Sequence, residues 1–449
     1  MRGMQSSPFA MLSNVSVPKF PKNQRWVQAE HPPTPAKINE LDVIQCGGHS
    51  DSSPNGDTGG FQMESLLPAS PSFTPETPDY NMNVANIKTP DSIPVTFQEP
   101  SRFPLPENES ALVRHFMRTL APWFDSCNLH RHFTNEVSAR LSSSTVLLEA
   151  VLAMAAHHLS AIGQLDSLAA EKYYETAKRH LLPSLGTMQS SPNAETLAAT
   201  IILRLRTELD TPLRQITNKS TLFAEEPLVA EYALADIFFP TPLTPFNVAL
   251  LWIGLRQELR VAVLGQRIAR FPTDCLHVDW HMPPTDDGDW ANRMVLNLVA
   301  VLQYCYNSPR DVELYKLLTE RCQIWRESNP HSFTPMFLEP AGGTSRSRAA
   351  SSSTMQLYWN LCKIILALHH PTTLLRPGDA AVRREVDQII NQSIRKLCGI
   401  GLYNSDCACA VGLACVGIRL WGHRFEDAED QKALQKILHM AEEKHGLKT

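Results

Sequence analysis

Four cysteines, Cys398, Cys407, Cys409 and Cys415, form the one dense group of metal-capable side chains in the sequence. A structural zinc site brings four thiolate or imidazole ligands to about 2.3 Å from the ion, usually from two closely spaced pairs. No Cys-x-x-Cys occurs anywhere in the chain. The spacing predicts Cys398 on one helix and Cys409 and Cys415 on the next, among Ala, Val, Gly and Leu, where free cysteine behaves as a small buried hydrophobe. No metal site is expected. The histidine pairs His157-His158 and His369-His370, with His130-Arg131-His132, invite the same question. Neighbouring helical positions point about 100° apart, so a pair cannot chelate one ion as an i, i+4 pair does. Each pair reads as a buried, hydrogen-bonded histidine beside an exposed one. Gly-rich phosphate loops, a Gly-x-Ser-x-Gly elbow and a His-Glu-x-x-His sequence are all absent. The sequence therefore nominates no catalytic, cofactor-binding or metal-binding residue, and an enzyme is disfavoured.

Basic residues recur as pairs, Arg204 and Arg206, Arg256 and Arg260, Arg383 and Arg384, within amphipathic helices and beside acidic neighbours. They read as solvated or ion-paired helix faces rather than as an element that reads a nucleic-acid groove. The whole-chain charge agrees: 41 Lys and Arg against 46 Asp and Glu give a net charge of -5, so the chain cannot act as a counterion for nucleic acid. The ten cysteines are spread over 449 residues without the density of a secreted disulfide scaffold, which predicts a reducing interior. No apolar run is long enough to span a bilayer, so no membrane partner is expected.

The elements divide by composition. Residues 1–106 hold 16 of the 33 prolines and show no sustained period of 2 or 3.6. Such a stretch cannot bury enough apolar surface to offset its ordering entropy, and a disordered Pro/Ser/Thr-rich tail is predicted. From 107 to 449 the helical period dominates. Leu112, Phe116 and Leu120 recur until Pro122 stops the pattern, and helices follow over 146–162 and 166–185. Leu197, Ile201, Leu205 and Leu209 mark another, with Ser191 as its N-cap and Pro192 at its first position. A core-facing helix starts at Thr244-Pro245 with Val248, Leu251, Trp252, Leu255, Leu259, Ala262 and Val263 in one stripe. Ser308-Pro309 begins the next, with Val312, Tyr315, Leu318, Cys322 and Trp325 on one face; helices over 355–369, 382–397, 408–421 and 429–443 complete the series. Residues 210–243 and Gly342 to Ser353 read as irregular insertions, the second as a surface loop. The fold class is all-α, an irregular multi-helix array behind a disordered tail.

The wording of the helices resembles a known family. Leu112-Val113-Arg114-His115-Phe116, Ala121-Pro122-Trp123-Phe124-Asp125-Ser126-Cys127 and Arg131-His132-Phe133 are similar to the start of the regulatory domain of fungal binuclear zinc-cluster transcription factors. His158-Leu159-Ser160, residues 197–205 with Glu208-Leu209-Asp210, and Trp252-Ile253-Gly254-Leu255-Arg256-Gln257-Glu258 follow in the order of that family. Trp290 to Arg293, Trp325 to Pro330, Leu397 to Gly401 and Arg424 to Asp427 continue it, so the resemblance runs over 107–209 and 247–446. It implies a nuclear transcription regulator of the kind found beside secondary-metabolite gene clusters. In that family a six-cysteine module holding two zinc ions reads DNA, whereas Cys46 is the one cysteine here before Cys127. Residues 20–27 resemble the linker that follows such a module, and the resemblance implies an upstream exon either lost or left out of the gene model. The partners expected are other transcription regulators or a second copy of the chain, with DNA reached indirectly or through that upstream module.

Overall fold

The computed structural model describes residues 105–449 apart from 188–192, 217–242, 272, 274–275, 277, 279–283, 308–310, 334–336, 339–344, 347–349 and 372–379. The tail predicted over 1–106 therefore falls almost wholly outside the described residues, as does most of 210–243. Fourteen α-helices and two two-residue strands, β1 (Phe337–Leu338) and β2 (Ser345–Arg346), make up the described part, and the all-α class holds. No single helix among the described residues is long and apolar enough to cross a membrane.

The first half opens with α1 (Glu107–His115), a π-turn over Phe116–Leu120 and α2 (Ala121–Phe124). Pro122 does not stop the coil as the sequence predicts. The Ala121 N–H reaches back to Phe116 O, five residues away, and this widened turn lets a residue without an N–H sit in the first turn of α2. Leu112, Phe116 and Leu120 are all buried by this path. Then come α3 (His132–Arg140), α4 (Thr145–Ala161), α5 (Ser167–Thr187), α6 (Ala194–Asp210) and the single turn α7 (Leu213–Ile216). Ser144 caps α4 by accepting from the Leu147 N–H, and α4 is apolar on every side, as a helix surrounded by α1, α5 and α6 must be. The cap of α6 is Asn193, whose side chain accepts from the N–H groups of Glu195 and Thr196, and not Ser191.

The second half holds α8 (Pro245–Leu264), α9 (Asp287–Asn307), α10 (Val312–Ser328), α11 (Ala350–Leu368), α12 (Ala380–Tyr403), α13 (Ala408–Trp421) and α14 (Ala428–His445). Thr244 Oγ1 accepts from the Asn247 N–H and Pro245 takes the first helical position, as predicted. More of α8 is buried than one stripe: Phe246, Ala249, Leu250 and Ile253 are covered as well, because α3, α6, α9 and α13 pack around it. Helix α10 starts at Asp311, whose carboxylate caps Glu313, rather than at Ser308. That start leaves Val312 44 % exposed while Leu318, Cys322 and Trp325 enter the core. Helix α9 adds an element to the series expected from the sequence, and Ala291, Met294, Val295, Leu298, Val301 and Leu302 supply its apolar stripe. The stretch read as a loop over 342–353 contains β2, and its last residues begin α11. One apolar core runs from Leu112 to Leu447 through both halves, with α8 as their common member.

Candidate functional site

The sequence offered scattered arginines; the fold gathers four of them. Arg204 on α6 and Glu258 on α8 meet at 3.0 Å, and Arg204 Nε donates to Glu208 Oε1 at 3.3 Å. Arg260 Nη1 donates to Glu208 Oε2 at 3.3 Å, and Arg267 Nη1 to Glu258 Oε1 at 2.6 Å. The backbone N–H of Arg270 adds a third donor to Glu258. The Arg204, Glu208 and Glu258 side chains are almost fully buried. The ion-paired reading of Arg204 and Arg260 is right, but the pairs lie inside the protein and not on a solvated face. Burial pushes the Glu208 carboxyl up from the ordinary carboxylate range, and Arg260 and Arg204 pull against that shift.

A turn with a left-handed residue shapes the far side of this network. Gln266, at φ +49°, ends α8; its N–H bonds Val263 O while the Arg267 N–H bonds Ala262 O. That reversal is what returns Arg267 and Arg270 to Glu258. A non-glycine residue in this conformation costs on the order of 1–2 kcal/mol.

A cavity of about 110 Å³ opens beside the network. Its walls are Leu205, Glu208 and Leu209 of α6, Tyr358 of α11, and Cys409, Val411 and Gly412 of α13, closed by Trp123, Phe124 and the end of the chain at His445 and Leu447. From α8 come Ile253, Arg256, Gln257 and Arg260. Their i, i+3, i+4, i+7 spacing puts all four on one side of the helix. Arg256 donates to Phe124 O at 3.0 Å and Gln257 to Ile201 O at 3.0 Å. Nε and Nη2 of Arg260 and Oε1 of Gln257 are buried without a protein partner. The Tyr358 phenol, buried, is held well above its ordinary range and stays a neutral donor.

Histidines cluster on the flank. His115 Nε2 and His158 Nδ1 are 3.1 Å apart, and Trp123 lies edge-on between His158 and His445, with ring centroids at 5.3 and 5.7 Å. His445 donates from Nε2 to Ser405 O at 2.8 Å. Contrary to the sequence reading, His157 and His158 are both buried, 7 % and 2 % exposed, because α4 is covered on all sides. Burial lowers both imidazoles to about 4, so they are neutral near pH 7. His369 and His370 are both half-buried against Tyr306 and Tyr315.

Of the four cysteines, Cys398 and Cys415 are buried and Cys407 and Cys409 half-buried. Burial pushes the thiols of Cys398, Cys409 and Cys415 up to about 12 and that of Cys407 up as well, the reverse of what a metal-binding thiolate needs. Cys409 donates to Trp123 O. Among the described residues no three His, Cys, Asp or Glu side chains converge on a point that a metal ion could occupy.

The helices from α1 to the last turn of α6 have a known counterpart. Residues 111–207 match the fungal specific transcription factor domain. The matched segment supplies Trp123, Phe124, Arg204 and Leu205 to the network and cavity, and stops one residue short of Glu208. The resemblance read in the sequence beyond residue 207 lies outside that match. No curated protein and no solved structure matches the chain.

Proposed function

We propose that the protein is a nuclear transcription regulator of fungal type, with residues 107–449 as its regulatory domain, serving a secondary-metabolite gene cluster. The match over residues 111–207 supports the fungal transcription-regulator part of this reading. Those helices share one apolar core with α8 to α14, so the matched segment and the rest of the helical part act as one folded body.

The regulator works through protein contacts. Its arginines at 204, 256, 260 and 267 each bond a carboxylate or carbonyl of the fold rather than forming a basic stripe, and the net charge is -5. Sequence readout then comes from a zinc-cluster module joined to this chain or from a partner regulator. A non-DNA-binding interaction protein that titrates such partners is the second reading.

A reporter assay in a fungal host tests both. Fusion of a zinc-cluster module upstream of Met1 should turn on a reporter carrying that module's site, and a fluorescently tagged chain should concentrate in nuclei. Gel-shift titration of the 449-residue chain at physiological salt should show no discrimination between promoter sequences. A fusion that binds its site without changing transcription would defeat the regulator reading, and repression of a partner's reporter by the unfused chain would favour the titrating protein.

A further inference from the structure

We infer that the cavity between α6, α8 and α13 binds a small organic monocarboxylate, its charge held by Arg256 and Arg260 and its apolar body against Leu209, Ile253 and Val411. Three independent observations converge on this ligand class. The first is charge: Arg204, Arg256, Arg260 and Arg267 are gathered around only two carboxylates, Glu208 and Glu258. Asp125, next to Phe124 on the cavity wall, gives both its oxygens to the start of α3, at Phe133 and Thr134. Arg204 is buried, while Arg256, Arg260 and Arg267 are half-buried, so this excess of guanidinium over carboxylate is partly desolvated and favours sharing a further anion.

The second is unspent hydrogen bonding on the wall. Arg260 keeps Nε and Nη2 buried without a protein partner, and Gln257, 8 % exposed, keeps Oε1 in the same condition. The two free guanidinium N–H groups of Arg260 form an edge suited to both oxygens of one carboxylate. The neutral Tyr358 hydroxyl is available as a further donor.

The third is size and the opposite wall. An apolar cavity of about 150 Å³ holds one benzene, so 110 Å³ takes a body of about four to six carbons. A sugar, a nucleotide or a peptide is too large, and sulfate or phosphate would leave the apolar wall unused.

Binding itself does not depend on the functional proposal; only a consequence for transcription would rest on that reading. The test uses the purified full-length chain, with 3-methylbutanoate as probe and 3-methylbutanamide and sulfate as controls, read by calorimetry and by the shift in melting temperature. The carboxylate should bind one per chain with Kd between about 10 µM and 1 mM, the amide about tenfold or more weaker, and sulfate not detectably. A Cβ on Gly412 would meet nothing within 4 Å, so Gly412→Leu extends into the cavity without displacing the wall and should abolish binding while the chain stays folded. Arg256→Met, outside the buried ion pairs, should remove most of the preference for carboxylate over amide. Equal binding of amide and carboxylate, binding of sulfate alone, retention of binding in folded Gly412→Leu, or no binding by the parent chain would each overturn the inference. A transcriptional reporter indifferent to the probe would leave these binding results standing and count only against an effector role.

Discussion

Arg204 and Glu258, on helices α6 and α8, meet at 3.0 Å with side chains 3 % and 6 % exposed. Their contact ties the segment that matches a known domain to the half of the chain that does not. Buried pairs of this kind are not strong net contributors, since desolvating two charges cancels much of their attraction, but removing one partner strands the other. Glu258→Gln should therefore destabilise the protein by about 3–5 kcal/mol, because Arg204, Arg267 and the Arg270 N–H all converge on this carboxylate. The exposed pair Lys316 with Glu313 supplies the contrast: Glu313→Gln should change stability by less than about 0.5 kcal/mol. Urea titration of the two variants checks both, and similar losses would mean that the buried network is solvated in solution.

Acidification should loosen the fold through His157 and His158. Both are lowered to about 4 by burial, whereas an unfolded chain titrates them near 6.5. Between those values the unfolded state binds more protons, so stability is complete above about pH 6.5 and falls as the pH drops towards 4. Beside His157, Arg206 and Lys448 act in the same direction and Asp210 opposes them; beside His158, the imidazoles of His115 and His445 add to the lowering when protonated. Melting temperatures measured from pH 7.5 to 4.5 should decline, and His158→Phe should flatten part of that slope. A profile level down to pH 4.5 would place these imidazoles in water.

How much of this was legible in the sequence differs from element to element. Helix α8 was read correctly from its Thr244-Pro245 start and apolar repeat, since its cap and its core-facing stripe both follow local rules. The cap of α6 was misplaced because Ser191 and Asn193 satisfy the same capping rule and propensity does not choose between them. Helix α9 is legible by the same local rules, from its stripe between Ala291 and Leu302 and its acidic first turn at Asp287 and Asp289. The cavity is a different case. Past its first turn, α8 is apolar all round apart from Arg256, Gln257, Glu258 and Arg260, and on such a helix a charged stripe has no solvent to face. That much could be read. That Glu208 and Glu258, from separate helices, would close on Arg204 together could not, because it depends on how α6 lies against α8.

Two glycines in left-handed conformations separate backbone strain from packing. Gly163 ends α4 at φ +75° with open space where a Cβ would stand, while Gly446 follows α14 at φ +63° with its Cβ position 2.7 Å from Ala161 Cβ. Gly163→Ala should cost about 1–2 kcal/mol, the backbone penalty alone. Gly446→Ala should add about 1–3 kcal/mol of overpacking to that, since the chain end lies directly on α4. Equal losses in chemical denaturation would show that the end of the chain moves away from α4 at little cost.

The left-handed residue that is not a glycine yields the opposite expectation. Gln266 adopts φ +49° so that the chain after α8 can reverse and deliver Arg267 and Arg270 to Glu258. Its strain is held in place by those two bonds and by the Arg267 N–H to Ala262 O. Glycine takes this conformation without a Cβ clash, at the cost of a more flexible unfolded chain. Gln266→Gly should therefore raise stability by up to about 1 kcal/mol, with the smaller effect in a Glu258→Gln background, where the turn can relax once the bonds that hold it are weakened. A double-mutant cycle by urea denaturation measures that coupling. If Gln266→Gly destabilises in both backgrounds, the glutamine side chain holds the turn through contacts of its own, and the reversal does not store strain on behalf of the buried ion pairs.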